Sequence, residues 1–417
     1  MFDDVGSLLE RDAGGGGVDW RGAGLSNSGS TVSHTPTARG LDSRCRPELQ
    51  EHPVTMVSCT MYSYSTTPHV SQLYTGFSLL SKQQDINLKQ KLTNYPCHGK
   101  EVMKHIKPDD FYGLFVALND RVILYYDVSD GPKLNEEALE LADIYFKRSY
   151  LDAEIPSGQR SRVFPLGFNY EVYSKGFNHH ECTRVLLRRN GKTIPYSRQI
   201  ATYLARLSGL SFDPILHRMH CPPKFDQEPR VIFMARAWDP DDVPPGLPAK
   251  TKEDLGRIND MRADCIQLLR KELGKQFYGG FAHNSYATRH YKGLLIEDAS
   301  MSRKKNYVSL LHQHPICIAT TGLQGSIGWK MAEYVAFSKS IVSEKLRYVV
   351  PGDFESGRNY LEFDTPDSCL QQTVRLIEDR SLRQQLMEEN WHYYKTYMVP
   401  DKLVLRTINI AKLRLTR

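Results

Sequence analysis

The sequence predicts an α/β protein with two doubly wound domains, each built on a largely parallel sheet. Apolar runs of strand length alternate with helix-like segments twice along the chain, and CPPKFDQEP at residues 221–229 separates the two series. Strands that alternate with helices are typical of parallel sheets covered on both faces. A chain of 417 residues is long enough for two such domains, each with its own core.

The first 52 residues contain GGGG and a stretch rich in Ser, Thr and Gly, without a periodic apolar face. We therefore expect residues 1–52 to be disordered and to carry no chemistry. The first α/β domain is predicted over residues 53–227. Its expected elements are strands at VTMVSCTMYSY and DINLKQKL, a helix at HVSQLYTGFSLLSKQ, a helix or strand leading into a strand within FYGLFVALNDRVILYYDVSDG, and a helix at NEEALELADIYFKRSYL with Asn135 as its N-cap.

The second α/β domain is predicted over residues 228–390. RVIFMARAW and FYGGF predict strands, while KEDLGRINDMRADCIQLLRKELG and NYVSLLHQH predict helices, the first of them clearly amphipathic. The order of these elements repeats the alternation of the first domain.

The most informative stretch is PICIATTGLQGSIGWKMAEYVAFSKSIVSE, residues 315–344. It predicts a buried strand, a glycine loop, a helix with Ser326 as N-cap, and a second strand from Ser340. Gly325 and Gly328 remove side chains where a ligand could approach the main chain. Because a helix N-terminus presents free N–H groups and a positive dipole end, the pattern predicts a phosphate site.

The same stretch resembles the donor-binding half of GT-B glycosyltransferases. The resemblance rests on Lys330, on Glu333 within AEYVA and on the strand SIVSE, and it extends over roughly the last 190 residues. In its order of residue types, the stretch most resembles the bacterial family-4-like group that includes spore-coat glycosyltransferase-like proteins. The resemblance implies two Rossmann-like domains facing a central cleft. It also implies that Glu333 accepts hydrogen bonds from the ribose hydroxyls of a donor. Retaining members carry a second glutamate eight positions earlier, where this chain has Gly325.

By this resemblance, the protein moves a sugar from a nucleotide-sugar donor to an acceptor hydroxyl. The second domain would hold the donor, the first would hold a glycan, lipid-linked or small-molecule acceptor, and residues 391–417 would return to the first domain. Neither a metal nor a cofactor is expected. Two alternatives stay open: a non-catalytic module that binds nucleotide sugars, and a nucleotide-sugar epimerase with the same fold.

Each candidate donor residue also has a simpler interpretation. The glycines could serve a tight turn and nothing else, and Glu333 could be a solvated helix carboxylate. Lys330 could contact the diphosphate or pair with Glu333 three residues on. Arg236, at the end of RVIFMAR, is implied by the resemblance to reach the diphosphate, and it could equally pair with a carboxylate such as Asp239 or Asp241.

Three residues of the first domain are candidates for catalysis. His69, in STTPHVSQL, could deprotonate an acceptor hydroxyl, or simply begin a helix after Pro68. Asp127 and Asp130, in YYDVSDG, could position an acceptor or act as the base, although aspartates before glycine are also ordinary turn formers.

Composition restricts the function classes. A balance of 54 Lys and Arg against 48 Asp and Glu gives a net charge of +6, without a dense basic block, so a nucleic-acid partner is not expected. The modest positive excess suits an anionic donor or contact with an acidic membrane surface. The eight scattered cysteines indicate reduced thiols rather than a disulfide framework or a metal site. Without a signal peptide or a membrane span in the sequence, the expected location is the cytoplasm.

Overall fold

The computed structural model describes residues 56–62, 67–91, 112–174, 212, 214–242 and 249–415. The predicted N-terminal extension, residues 1–52, lies outside the described residues. Within them the structure confirms the predicted fold class, because two separate sheets, both dominated by parallel pairs, are each covered by helices.

The sheet of the first domain has the strand order β2-β1-β3-β4-β5-β6. Its strands are β1 (Val57–Tyr62), β2 (Ile86–Lys91), β3 (Gly113–Leu118), β4 (Val122–Asp127), β5 (Ile144–Lys147) and β6 (Val163–Pro165). All neighbouring pairs are parallel except those of β3, which runs against both β1 and β4. The described helices of this domain are α1 (Ser71–Lys82) and α2 (Glu136–Leu141).

The structure decides one open prediction for this domain and corrects another. The segment that was expected to be a helix or strand is β3, joined to β4 by residues 119–121, of which Asn119 and Asp120 have φ of 51° and 52°. Consecutive positive φ angles allow the tight turn of a short β-hairpin, which joins only antiparallel strands. The helix expected over NEEALELADIYFKRSYL ends at Leu141, and IYFK forms β5 beside β4. Asn135 is the N-cap as predicted, and its Oδ1 accepts from the Ala138 N–H at 2.7 Å.

The second domain has an all-parallel sheet in the order β8-β7-β9-β10-β11. Its strands are β7 (Val231–Ala235), β8 (Phe277–Phe281), β9 (Ile316–Ala319), β10 (Ser340–Glu344) and β11 (Tyr360–Phe363). The helices are α3 (Ala249–Leu273), α4 (Ser285–His290), α5 (Lys304–Gln313), α6 (Trp329–Ala336), α7 (Pro366–Glu378) and α8 (Arg380–Tyr393).

The end of the described chain returns to the first domain. A π-helical turn (Tyr394–Met398) follows α8 and leads into α9 (Pro400–Leu415). Leu403, Val404 and Ile408 of α9 are buried in the core that β1, β4 and α1 form. Gly76 of α1 allows this close approach, because a Cβ there would lie 2.1 Å from the Pro400 carbonyl oxygen. Among the described residues, no helix is long and apolar enough to cross a membrane.

Candidate functional site

The strand order of the second sheet has a switch point between β7 and β9. From β7 the chain continues to β8 on one side, and the later strands β9, β10 and β11 lie on the other. The loops that leave β7 and β9 therefore diverge and open a crevice at the carboxyl ends of the strands. In open α/β sheets this crevice is where ligands bind. Arg236 directly follows β7, and the glycine loop follows β9.

A buried arginine on α3 forms hydrogen bonds to both sides of this crevice. Arg262 donates to the Arg236 carbonyl oxygen (2.7 Å), to Thr320 Oγ1 (2.9 Å) and to the Thr321 carbonyl oxygen (3.1 Å). Burial lowers the pKa of its guanidinium to about 10, against the opposing charge of Glu344. The two strand ends are thus held at a fixed spacing. The role of Arg262 is not readable from the sequence, because an arginine within a long amphipathic helix carries no signal of a contact with strands distant in sequence.

The glycine loop is a compact turn between β9 and α6. The Gly322 N–H donates to the Ser326 carbonyl oxygen at 2.8 Å, and Gly325 has a φ of +73°, a conformation that strains other residues. Ser326 was predicted to be the N-cap of the helix, and this is wrong. The helix begins at Trp329, and Gly328 occupies the cap position without a side chain to satisfy the first N–H groups.

Gly328 is an exposed glycine with no structural need for glycine. Its φ of −71° and ψ of 159° are open to any residue, and a Cβ added there would meet no atom within 4 Å. The missing side chain therefore leaves open space directly in front of the first turn of α6. The N–H groups of a first helical turn have no partner within the helix, and they favour an anion.

Glu333 and Lys330 lie on the same helix, behind this open space. The Glu333 side chain is 3% exposed and is paired with Lys304 of α5, so it is neither a solvated carboxylate nor half of a surface pair with Lys330. Lys330 Nζ donates to the Met234 carbonyl oxygen at 2.6 Å and lies 5.1 Å from the Tyr307 ring centroid. Desolvation lowers the pKa of the Lys330 ammonium to about 8, although Glu333 opposes this shift.

Arg236 is exposed at the carboxyl end of β7. Its guanidinium lies over the ring of Trp238, 4.8 Å from the centroid. The carboxylates considered as its alternative partners contact other cations: Asp239 contacts Arg289 at 3.4 Å, and Asp241 contacts Lys252 at 3.1 Å.

The first domain contributes Asp130 to the same cleft. Arg148, at the end of β5, donates to Asp130 Oδ1 (2.5 Å) and to the Ile327 carbonyl oxygen of the glycine loop (2.6 Å). The Arg148 side chain is 6% exposed and that of Asp130 is 63% exposed. A Cβ on Gly131 would lie 2.7 Å from Gln324 Oε1. The Asp130 carboxylate is thus open to solvent beside the loop. Arg148 was missed, although a cation directly after a buried strand was a readable signal.

Asp127 does not reach the cleft. It is buried at the end of β4, where Oδ2 accepts from Lys147 Nζ at 2.9 Å and from the hydroxyl of Tyr145. Oδ1 accepts from the backbone N–H (2.8 Å) and the hydroxyl (2.6 Å) of Ser129. With both oxygens occupied in a buried network, Asp127 is suited to fixing the strand end rather than to contacting an acceptor.

His69 lies where the two domains meet. Its ring centroid is 4.6 Å from that of Trp329, the first residue of α6, and 5.5 Å from that of Tyr112. Burial lowers the pKa of the imidazole to about 4, and the nearby Arg148 charge adds to this effect while Asp130 opposes it. The ring is therefore neutral at pH 7. The structure brings together His69, Asp130 and the loop at Gly328.

Comparison with known proteins gives low similarity throughout. No family model matches the chain, and no curated protein matches it. Among solved structures, the chain is similar to Staphylococcus aureus TarM with UDP bound (16% identity, 50% of this chain, TM-score 0.33). It is also similar to Anabaena HepE with UDP (12%, 84% of this chain and 98% of that chain, TM-score 0.37). A third similar structure is the C-terminal domain of the Francisella tularensis glycosyl transferase LpcC (13% identity, 43% of this chain and 96% of that chain, TM-score 0.31). The chain covers only 42% of the TarM chain. Since these TM-scores are all below 0.5, the functional proposal rests on the topology and geometry of the chain itself.

Proposed function

We propose that this protein is a GT-B glycosyltransferase that moves a sugar from a nucleotide-diphosphate donor to an acceptor hydroxyl. The observation that carries the proposal is the open space at Gly328. It lies before the N-terminus of α6, at the switch point of a parallel sheet, and Arg148 joins the preceding residue, Ile327, to the exposed Asp130 carboxylate of the other domain. A glycine that the backbone does not require is explained by a ligand that needs the space.

The donor diphosphate would lie against the first turn of α6. Its charge would be met by backbone N–H groups and by the Arg236 guanidinium on the opposite side of the crevice. Lys330 would act less directly, because its ammonium is directed at the Met234 carbonyl oxygen, and it adds positive charge beneath the helix. In this arrangement the diphosphate is neutralised by groups of the chain itself.

Glu333 would bind the ribose. Its carboxylate is buried and occupied by the Lys304 ammonium. A ribose diol would take over the same acceptor oxygens, and the partly exposed Lys304 would turn toward the phosphates. The pairing in the ligand-free protein thus keeps a buried carboxylate satisfied until the donor binds.

The transfer step needs a base and a stabilised leaving group. The acceptor oxygen attacks the anomeric carbon, its proton passes to the Asp130 carboxylate, and the bond between that carbon and the diphosphate oxygen breaks. The electron pair leaves with the nucleotide, where the helix N-terminus and Arg236 stabilise the new charge. Gly325 supplies no carboxylate, so the reacting carboxylate is assigned to the first domain. His69, neutral at pH 7, is a second acceptor of a proton or hydrogen bond.

A ligand screen tests this proposal. UDP, GDP, CMP and dTDP are tested with the full chain by thermal shift, since a ligand that binds only the folded protein raises its stability. The proposal requires at least one of them to bind saturably. Release of free nucleotide from the matching sugar donor, dependent on an acceptor, would then establish transfer. Binding without turnover would favour the non-catalytic module, and interconversion of donor sugars without acceptor would favour the epimerase. Failure of all four nucleotides to bind would overturn the proposal.

A further inference from the structure

The buried guanidinium of Arg148 joins the two domains at the candidate site. Arg148 directly follows β5 of the first domain, and its side chain is 6% exposed. Its Nη2 donates to the Ile327 carbonyl oxygen of the glycine loop at 2.6 Å. Its Nη1 donates to Asp130 Oδ1 at 2.5 Å and to the Val128 carbonyl oxygen at 3.3 Å. One rigid, planar group therefore contacts the glycine loop with one nitrogen and the Asp130 turn, residues 128–131, with the other.

A second close approach joins the same two segments. A Cβ on Gly131 of the Asp130 turn would lie 2.7 Å from Gln324 Oε1 of the glycine loop. Gln324 has a φ of 58°, which is uncommon for a residue other than glycine, and its carbonyl oxygen accepts from the hydroxyl of Tyr348 at 2.7 Å. The glycine loop is thus fastened to its own domain on one side and packed against the Asp130 turn on the other.

The Ile327 carbonyl group shares one peptide unit with the Gly328 N–H. Because a peptide unit is planar, a hydrogen bond that fixes the direction of its carbonyl group also fixes the direction of its N–H. A charged donor on the carbonyl oxygen also polarises the unit, which strengthens the N–H as a donor. This N–H lies at the N-cap of α6, beside the space assigned to the diphosphate. Arg148 therefore orients a backbone group of the proposed phosphate site without contacting the ligand itself.

The other end of Arg148 holds the proposed base. The Asp130 side chain is 63% exposed, and its Oδ1 accepts from Arg148. An exposed side chain without such a bond keeps most of its rotamer freedom. The bond restricts the carboxylate to one position beside the glycine loop.

We propose that Arg148 is a positioning residue that links donor binding to the base. A nucleotide bound at the glycine loop restrains the peptide unit after Ile327, and Arg148 passes this restraint to the Asp130 turn. This inference rests on the proposed function and connects its two halves. Without the Arg148 guanidinium, the nucleotide would still bind the first-turn amides of α6, but the Asp130 turn would no longer respond to it.

Hydrogen exchange of the full chain tests this link. Of UDP, GDP, CMP and dTDP, the one that gives the largest thermal shift is added at saturation, and peptides covering residues 322–336 and 126–134 are followed by mass spectrometry. In the wild type we expect exchange to slow in both segments. The slowing in 126–134 should be ~5-fold, the factor that one hydrogen bond of ordinary strength contributes.

Two variants remove the guanidinium. Arg148→Lys keeps the positive charge, but its single ammonium does not provide the fork that reaches both segments. Arg148→Gln places no charge in the buried position. Both should fold, because the Asp130 carboxylate that they release is exposed to solvent. In both we expect the nucleotide to slow exchange in 322–336 as in the wild type and to have no effect on 126–134. A purely structural role would change exchange equally with and without nucleotide.

Arg162→Lys is the matched control. Arg162 also donates to two carbonyl oxygens, those of Leu139 (2.6 Å) and Ala142 (2.7 Å), but both belong to the first domain. The same substitution there should leave the response of both segments to nucleotide unchanged.

The outcomes separate the inference from the proposed function. If the nucleotide slows exchange in 322–336 but not in 126–134 of the wild type, the inference is wrong while the proposed function stands. The same holds if the Arg148 variants keep both responses or lose both. If no nucleotide binds the wild type, or if a bound nucleotide leaves 322–336 unchanged, both are wrong.

Discussion

Replacing Gly328 with aspartate should change stability and ligand binding in opposite directions. Backbone angles at this position accept any residue, and a Cβ there meets no atom within 4 Å. Aspartate is among the best N-cap residues, a few tenths of a kcal/mol better than glycine. A negative charge at a helix N-terminus adds about 0.3–1 kcal/mol. We therefore expect Gly328→Asp to stabilise the ligand-free protein by about 0.5–1 kcal/mol, which raises the melting temperature of a domain of this size by about 1–4 °C.

The same carboxylate would occupy the space assigned to the diphosphate. It would take the N–H groups that hold the phosphate and repel its charge, and each charge-assisted hydrogen bond lost costs about 1.5–3 kcal/mol. Nucleotide affinity should fall by about 100-fold or more. Calorimetric titration measures the affinity, and thermal unfolding without ligand measures the stability.

Gly158→Asp is the matched control, because Gly158 lies in the first domain and a Cβ there also meets no atom within 4 Å. This variant should bind nucleotide normally. If the space at Gly328 held no ligand, the folded Gly328→Asp protein would bind nucleotide at full affinity, whatever its melting temperature. That result would refute the reasoning.

Three further predictions concern the carboxylates and the histidine. Asp127→Asn breaks the buried pair with Lys147 and should lower the free energy of unfolding by about 3–5 kcal/mol, measured by denaturant unfolding. Asp130→Asn should lower it by less than about 1 kcal/mol but should lower turnover by about 10²–10⁴-fold. The reverse ranking would show that the two roles are exchanged. Glu333→Gln should weaken binding of ribonucleotides about tenfold and leave that of 2′,3′-dideoxynucleotides unchanged, and an equal loss for both would argue against a ribose contact. The pKa of His69 in the folded protein, about 4, lies below its ordinary value of 6.5. Between pH 6.5 and pH 4, only the unfolded chain takes up a proton at this imidazole. The free energy of unfolding therefore falls as the pH falls, by up to ~3 kcal/mol. Denaturation curves at pH 7 and pH 4 should show this loss reduced in His69→Gln, and an equal loss in variant and wild type would contradict a buried neutral imidazole.

The second domain was the more predictable part of the fold, because its signals are local. Strand, glycine loop, helix and strand follow one another within residues 315–344, and the structure has β9, α6 and β10 there. Ser326 was wrongly taken as the N-cap because the turn before the helix is longer than the sequence indicates. A serine and a glycine two residues apart are both acceptable caps by residue type, and only the backbone geometry chooses between them.

In the first domain, a turn signal was overlooked. Asn119 and Asp120 stand between two apolar runs and adopt the positive φ angles of a hairpin. Both residue types tolerate this conformation, so the reversal of β3 was readable from the sequence.

The contacts that assemble the candidate site could not be predicted, since they join residues distant in the chain. Arg148 contacts Ile327, and His69 lies against Trp329, across separations that no periodicity encodes. Asp127 and Asp130 looked alike in YYDVSDG. Their difference comes from the strand pairing that buries Lys147 beside Asp127 and leaves Asp130 in solvent.

Backbone hydrogen exchange with and without a bound nucleotide tests the central claim most directly. In the proposed site, the amides at the start of α6 bind the donor diphosphate. Of UDP, GDP, CMP and dTDP, the one that gives the largest thermal shift is added at saturation, and exchange is followed by mass spectrometry of peptides covering residues 322–336. We predict slower exchange in this segment, and no such slowing in Gly328→Asp at the same nucleotide concentration. Saturable binding that leaves the exchange of residues 322–336 unchanged would contradict the account.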